Sequence, residues 1–280
     1  MKNVSTLCVF LLLTACIPLK KLAKLPEILN ENSGIIAVKD GIWLLNDSGN
    51  EANLYKTDFE GKIIRKLVIS NATNIDWEEL CADSSGNFYL ADIGNNANRR
   101  KDLCIYKIEN PELHYRESTF AEKIQFYYPE QETFPPLPYE LYYDAEAMIA
   151  LGNSLYIFTK NRSRPNDGYI LCYQLPQNPG KDIAAKYINS FRLKQRGFIY
   201  SITAAAISPD KKTLVLMAMG KLHIFSEFQS PNFFGSKKVK HHLLPFTQKE
   251  SISFFNENTL LISDEKSPLG KARLYKIKIK

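Results

Sequence analysis

Residues 146–175 read EAMIALGNSLYIFTKNRSRPNDGYILCYQL. One apolar run, Ala147 to Leu151, meets a second, Leu155 to Phe158, across the turn Gly152-Asn153. A polar stretch follows, and Tyr169 to Leu175 makes a third run. Short apolar runs joined by Gly-Asn chemistry read as hairpin strands. The layout recurs four more times: SGIIAVKDGIWLLNDSGNEANLYKTD from Ser33, EELCADSSGNFYLADIGNNANRRKDLCIYKI from Glu78, TAAAISPDKKTLVLMAMGKLHIF from Thr203 and ESISFFNENTLLISDEKSPLGKARLYKI from Glu250. A fourth alternating segment lies between units, at 63–69, 123–128, 185–193 and 238–246. This repeat predicts an all-β chain, a β-propeller of five four-stranded blades. The last unit lacks a fourth strand, and residues 22–29 are a spare segment ahead of the first. An N-terminal strand is therefore expected to close the ring. The longest gap, 109–143, has room for a sixth blade, but its proline cluster suits a loop better than a central strand.

Each unit opens on a polar residue at the entrance to an apolar strand: Ser33, Glu78, Glu146, Thr203 and Glu250, with Glu79 beside Glu78. A buried carboxylate is costly unless it is paired or binds a cation. Innermost propeller strands run along the axis, so these five residues are expected to face one another there. Three carboxylates and two hydroxyls suit Ca²⁺, which takes about six to eight hard oxygens in irregular geometry. His114, His223, His241 and His242 show no zinc-ligand spacing. The alternative is that the five residues cap strand ends or bind channel water.

The ring order Ser-Glu-Glu-Thr-Glu resembles the calcium-activated nucleotidase (apyrase) family. That resemblance implies a five-bladed propeller with a central Ca²⁺ held by Ser33, Glu78, Glu146, Thr203 and Glu250. It sets Asp47 of NDSG at the family's acidic turn and Arg162 of TKNR at its arginine pair. The family's Gly-rich turn with Lys and Trp is replaced by ADIGNNANRR, and the Lys of its fourth blade by Met217-Ala218-Met219. The resemblance thus implies the scaffold more than nucleotide hydrolysis.

The second strands should end on one face and place Asp47, Asp92, Lys160 with Arg162, and Asp264 with Glu265 around a rim. The loop after Asp92 adds Asn95, Asn96, Arg99 and Arg100. Guanidinium groups pair bidentately with phosphate or carboxylate. Asp47, Asp92 and Arg162 are the candidate catalytic groups. Asn95, Asn96, Arg99, Arg100, Lys160, Arg162, Asp264 and Glu265 are candidate ligand contacts. Asn, Asp and Gly in these loops equally make turns. The chain has no nucleophile elbow, phosphate loop or CxxC pair. Two functions stay open. One is a hydrolase acting on a phosphorylated or otherwise anionic small molecule above Ca²⁺; the other is a non-catalytic binding or assembly propeller with a structural ion. A six-bladed lactonase-like propeller is a third reading of the Glu78 and DIGNN segments.

The N-terminus points to the compartment. Lys2 precedes the apolar run Val4–Leu13, and Leu13-Thr14-Ala15-Cys16 resembles the lipobox of bacterial lipoproteins. Residues 1–15 are read as a signal peptide, 16–30 as tether and closing strand, and 31–280 as the propeller. Lipid on Cys16 would hold the protein to a membrane of the cell envelope, the outer membrane being expected. Lys20, Lys21 and Lys24 follow, where anionic head groups would attract them. The charge of +6, from 36 basic and 30 acidic residues, is otherwise dispersed, which argues against a nucleic-acid partner. Cys81, Cys104 and Cys172 sit in apolar patterns and read as buried thiols.

Overall fold

The computed structural model describes residues 19–268 and 270–279. The expected signal peptide and Cys16 lie outside the described residues. The described residues form five sheets around a central channel. Strand β1 (Lys20–Lys24) comes first and is followed by a 3-10 turn, Glu27–Leu29. Blade one is β2 (Asn32–Val38), β3 (Gly41–Asn46), β4 (Asn53–Thr57) and β5 (Ile63–Ile69). Blade two starts with β6 (Trp77–Ala82), β7 (Phe88–Asp92) and β8 (Cys104–Ile108). The chain then lays β9 (Ser118–Thr119) parallel to β5 before returning as β10 (Glu122–Tyr127). Blade three is β11 (Asp144–Leu151), β12 (Ser154–Lys160) and β13 (Tyr169–Pro176). Next, β14 (Gly180–Ala184) runs parallel to β10, and β15 (Lys186–Arg192) completes the blade. Blade four is β16 (Ile202–Ile207), β17 (Thr213–Ala218), β18 (Lys221–Ser226) and β19 (Lys238–Leu243). Blade five is β20 (Lys249–Asn256), β21 (Thr259–Asp264) and β22 (Arg273–Lys278), with β1 as its outer strand.

Residues 109–143 hold no sixth blade. They contribute β9, β10 and a loop with a short 3-10 turn at Pro138–Glu140. The closing strand lies earlier than the expected 22–29. Leu25 still donates its N–H to Ala272 O at 3.0 Å, but Pro26 has no N–H to offer, and the chain turns. The exposed lysines Lys20, Lys21 and Lys24 lie along this outermost edge, where charge discourages pairing with another chain.

Turn chemistry sets the hairpins. Gly152, with φ 60°, takes the first central position of the two-residue β11–β12 loop, where a side chain would be strained. The blades alternate small and large apolar residues, and each gap between neighbouring blades holds its own core. Trp43, Trp77 and Phe88 fill the gap between blades one and two. Tyr89, Phe126, Tyr128 and Tyr173 fill the next. Phe158, Phe225 and Phe233 lie between blades three and four. Cys104 and Cys172 are buried, and the three body cysteines form no disulfide.

Candidate functional site: a carboxylate-lined mouth

The inner strands β2, β6, β11, β16 and β20 pack side by side in a closed ring. Each one slips register against its second strand at its entrance: between Asn32 and Gly34, Trp77 and Glu79, Ala145 and Ala147, Ile202 and Ala204, and Lys249 and Ser251. The residue left over is Ser33, Glu78, Glu146, Thr203 and Glu250 in turn. A bulge adds one unpaired residue and re-aims its side chain. The five residues that open the sequence repeats therefore occupy equivalent bulges around one axis.

Their side chains divide into three kinds. Ser33 Oγ donates to Trp77 O at 2.7 Å and Thr203 Oγ1 to Lys249 O at 2.7 Å, so both hydroxyls tie their blade to the next. Glu146 accepts from Lys160 Nζ, and from Arg162 Nη2 at 3.0 Å. Glu78 gathers instead with Asp47 and Asp76: one oxygen from each lies within 4.8 Å of the others. Burial, then the charges of Glu146 and Asp47, push the Glu78 carboxyl well above its ordinary range. Burial likewise raises Glu250, with Glu146 and Glu265 adding to it against Lys160. Asp76 is raised to about 7 by burial and by Asp47 and Asp144. Burial raises Asp47 as well. Glu265 is raised to about 7 by burial, Asp47 and Glu31, and accepts from Gln248 Nε2. The mouth thus gathers more carboxyl groups than its own cations balance.

Gly94 shows that the convergence is built. A Cβ there would collide with Asp76 Oδ2 and Glu78 Oε1. Its φ lies outside the left-handed region, so a side chain there would have to displace the two carboxylates rather than strain the backbone. Asp92 sits behind this group. Its Oδ1 accepts from Arg100 Nη1 at 2.8 Å and from Asp76 N at 3.1 Å. Its Oδ2 is buried without a hydrogen-bond partner.

The loop after Asp92 is largely occupied with itself. Asn95 Oδ1 accepts the N–H groups of Arg99 (2.8 Å) and Arg100 (3.0 Å), and its Nδ2 donates to Tyr143 O (3.0 Å). Arg162 spans Asp144 (Nε to Oδ2, 2.6 Å), Glu146 and Asn96 Oδ1. Lys160 is buried, which opposes its charge, yet Glu146 and Glu250 hold it above its ordinary value. Arg99 is exposed at the rim. Asp264 is turned inward. It accepts from Thr247 Oγ1 (2.8 Å) and Tyr275 OH (2.7 Å), and Lys249 Nζ lies 3.7 Å away.

Asp76 and Asp144 were not among the sequence candidates, although both stand two residues before a ring glutamate, in DWE and DAE. Glu79 behaves differently from its neighbour. Fully buried, it accepts from Leu80 N at 3.0 Å and, across the channel, from Ala205 N of β16 at 3.0 Å. Beyond it the channel opens to the opposite face as a cavity of about 250 Å³ lined by apolar residues of all five inner strands, among them Ile35, Leu80, Ile149, Ala205 and Ile252.

Solved structures similar to it are distant in sequence. The PQQ-bound aldose sugar dehydrogenase of Streptomyces coelicolor superposes with a TM-score of 0.52 at 8% identity, over 93% of this chain and 97% of that one. The likeness is one of fold alone. The hydrazine synthase of Kuenenia stuttgartiensis, with a TM-score of 0.39 and 10% identity over 84% of this chain and 55% of that one, is too distant to add to it. No protein-family model matches the chain, and no curated protein matches it.

Proposed function

We propose that the mouth binds a divalent cation of the Ca²⁺ class and, through it, a phosphorylated or otherwise anionic small molecule. The observation that carries this is the approach of Asp47, Asp76 and Glu78 to within 4.8 Å around the space kept by Gly94. Hard anionic oxygens without imidazole or thiolate suit Ca²⁺ better than zinc or copper. The same ring order gave the resemblance to calcium-activated nucleotidases, and the proposal keeps their ion while moving its nearest ligands toward blades one and two. A bound Ca²⁺ supplies charge neutralisation and polarises a ligand oxygen. The chain's own part is to hold the ligands. Glu78 comes from a bulge, Asp76 stands two residues before it, and Arg162 and Arg99 flank the opening.

A second reading, a non-catalytic propeller with a structural ion, is favoured by one observation. Arg162 and Lys160 are already engaged by Asp144 and Glu146. One experiment separates the readings. Purified full-length protein is analysed for bound metal, then screened against phosphate esters and lactones with Ca²⁺ or with chelator. Ca²⁺-dependent turnover lost in Glu78→Gln supports the first reading. Stoichiometric Ca²⁺ without turnover supports the second, and no bound metal under any condition rejects both.

We further propose that Cys16 is lipidated and anchors the propeller in the cell envelope. Cys16→Ser should then leave the membrane fraction or accumulate as precursor. A variant that fractionates like wild type would reject the anchor.

A further inference from the structure

A second cluster of charge lies apart from the mouth, between blades three and four. The end of β15 and the loop that follows contribute Arg192, Lys194 and Tyr200; β18 and β19 contribute Lys221, His223 and His241. Together they line a pocket of about 200 Å³. Cross-strand pairing places His223 opposite His241, with ring centroids 4.9 Å apart. His223 is 4% exposed, and its Nδ1 is buried without a hydrogen-bond partner. A buried polar nitrogen that nothing satisfies calls for a ligand atom. Lys221 Nζ reaches Gln195 Oε1 at 3.2 Å, and Arg192 Nε donates to Asp167 O at 3.1 Å. No carboxylate lines the pocket.

We propose that this pocket is a binding site for a tetrahedral oxyanion of the phosphate class, free or as a small monoester. The pocket's volume admits such an ion, and its walls carry positive and hydrogen-donating side chains and no anionic one. Lysine binds phosphate as a point charge, and an imidazole supplies one donor, or two once a bound anion draws a proton onto it. The electrostatics of the pocket agree. Burial first, then neighbouring positive charge, depresses Lys221, His223 and His241; the charges acting are Lys194 on Lys221, His241 and Lys221 on His223, and Lys221, Lys194 and His242 on His241. A bound dianion would relieve all three.

The chain has four histidines, so labelled imidazole resonances can be followed one by one in the full-length protein. Inorganic phosphate, raised to about 20 mM, should move the titration midpoints of His223 and His241 upward and leave His114 in place. Lys221→Met should weaken phosphate binding about tenfold or more, the loss expected for one charge-assisted contact. Glu78→Gln, at the mouth, should leave the response intact. The proposal is overturned if His223 and His241 do not respond, or if Lys221→Met responds like wild type. It is equally overturned if the response disappears in Glu78→Gln and persists in Lys221→Met, since the anion would then sit at the mouth. Methyl phosphate acting like inorganic phosphate would identify the monoester as a ligand; phosphate acting alone would restrict the site to the free ion.

Discussion

At the scale of single residues, three glutamates at or beside the strand bulges face different problems. Glu78 is crowded by like charge, Glu79 is satisfied by backbone N–H groups, and Glu146 is paired with Lys160 and Arg162. Neutral glutamine should therefore act in opposite directions. Glu78→Gln relieves repulsion and should raise the melting temperature in chelator while abolishing stabilisation by Ca²⁺. Glu146→Gln removes the carboxylate shared by Lys160 and Arg162 and should destabilise by about 3–5 kcal/mol in either condition. Denaturant titrations of both variants check this, and matching signs would contradict the charge assignment. Gly94→Ala is the steric counterpart. It should lower Ca²⁺ affinity about tenfold or more by pushing Asp76 and Glu78 apart, with the fold intact by circular dichroism.

The raised Asp76 carboxyl has a pH signature with a definite sign. Its folded value of about 7 lies above its ordinary 3.8, so between these limits the folded state binds more protons than the unfolded one. Its contribution to stability is thus present at low pH and lost as pH rises through about 7. Histidines lowered by burial, such as His223, act the other way below their ordinary value of 6.5. Comparing wild type with Asp76→Asn cancels them. In chelator the variant should be the more stable protein at pH 8, with the gap closing toward pH 5. A gap constant with pH would place Asp76 in an ordinary solvated setting.

At the scale of elements, the bulges explain how much of the site was legible. The hairpin between first and second strands is short in every blade, so aligning the turns also aligned Ser33, Glu78, Glu146, Thr203 and Glu250. What the alignment could not supply was partnership. Asp76 needs Gly94 from the next hairpin, Arg162 needs Asp144 from a neighbouring strand, and Asn74 bridges to Asn46 O (2.9 Å) and Asp47 O (2.8 Å) of blade one. The first two depend on how loops fold back over the strands of their own blade and the third on how blades meet, none of which periodicity encodes. The ring-closing strand was visible as a surplus segment, and only Pro26 decided where it stops. Deleting residues 19–25 removes β1 and the buried Leu25, and leaves β22 as an open edge. Melting should fall and light scattering should rise. An unchanged melting curve would reduce the segment to a tether.

At the scale of the whole molecule, stability is divided among wedges between blades rather than gathered in one centre. Phe233 illustrates this. It comes from the β18–β19 connection of blade four, is fully buried, and packs edge-on against Tyr156 and Phe158 of blade three. Phe233→Ala should cost about 3–5 kcal/mol, and thermal denaturation should show whether blades three and four loosen together. The wedges were foreseeable as alternating apolar faces. Their closing residues were not, because Phe233 lies in a connection without strand pattern.

The stray strands β9 and β14 give this ring a grain. Each leaves its own blade and adds to the outer edge of the one before, so blades one, two and three are lashed together by backbone at the rim as well as at the hub. Blade five is fastened to the start of the chain. Between blades three and four, and between four and five, the described residues include no such lashing, and β15 and β19 are left as outer edges. The circle therefore has two hinge lines, one on each side of blade four. Under mild denaturant, amide exchange should quicken first along β15, β19 and the facing side of blade five, while the amides of β5 and β10 stay protected until the whole structure opens.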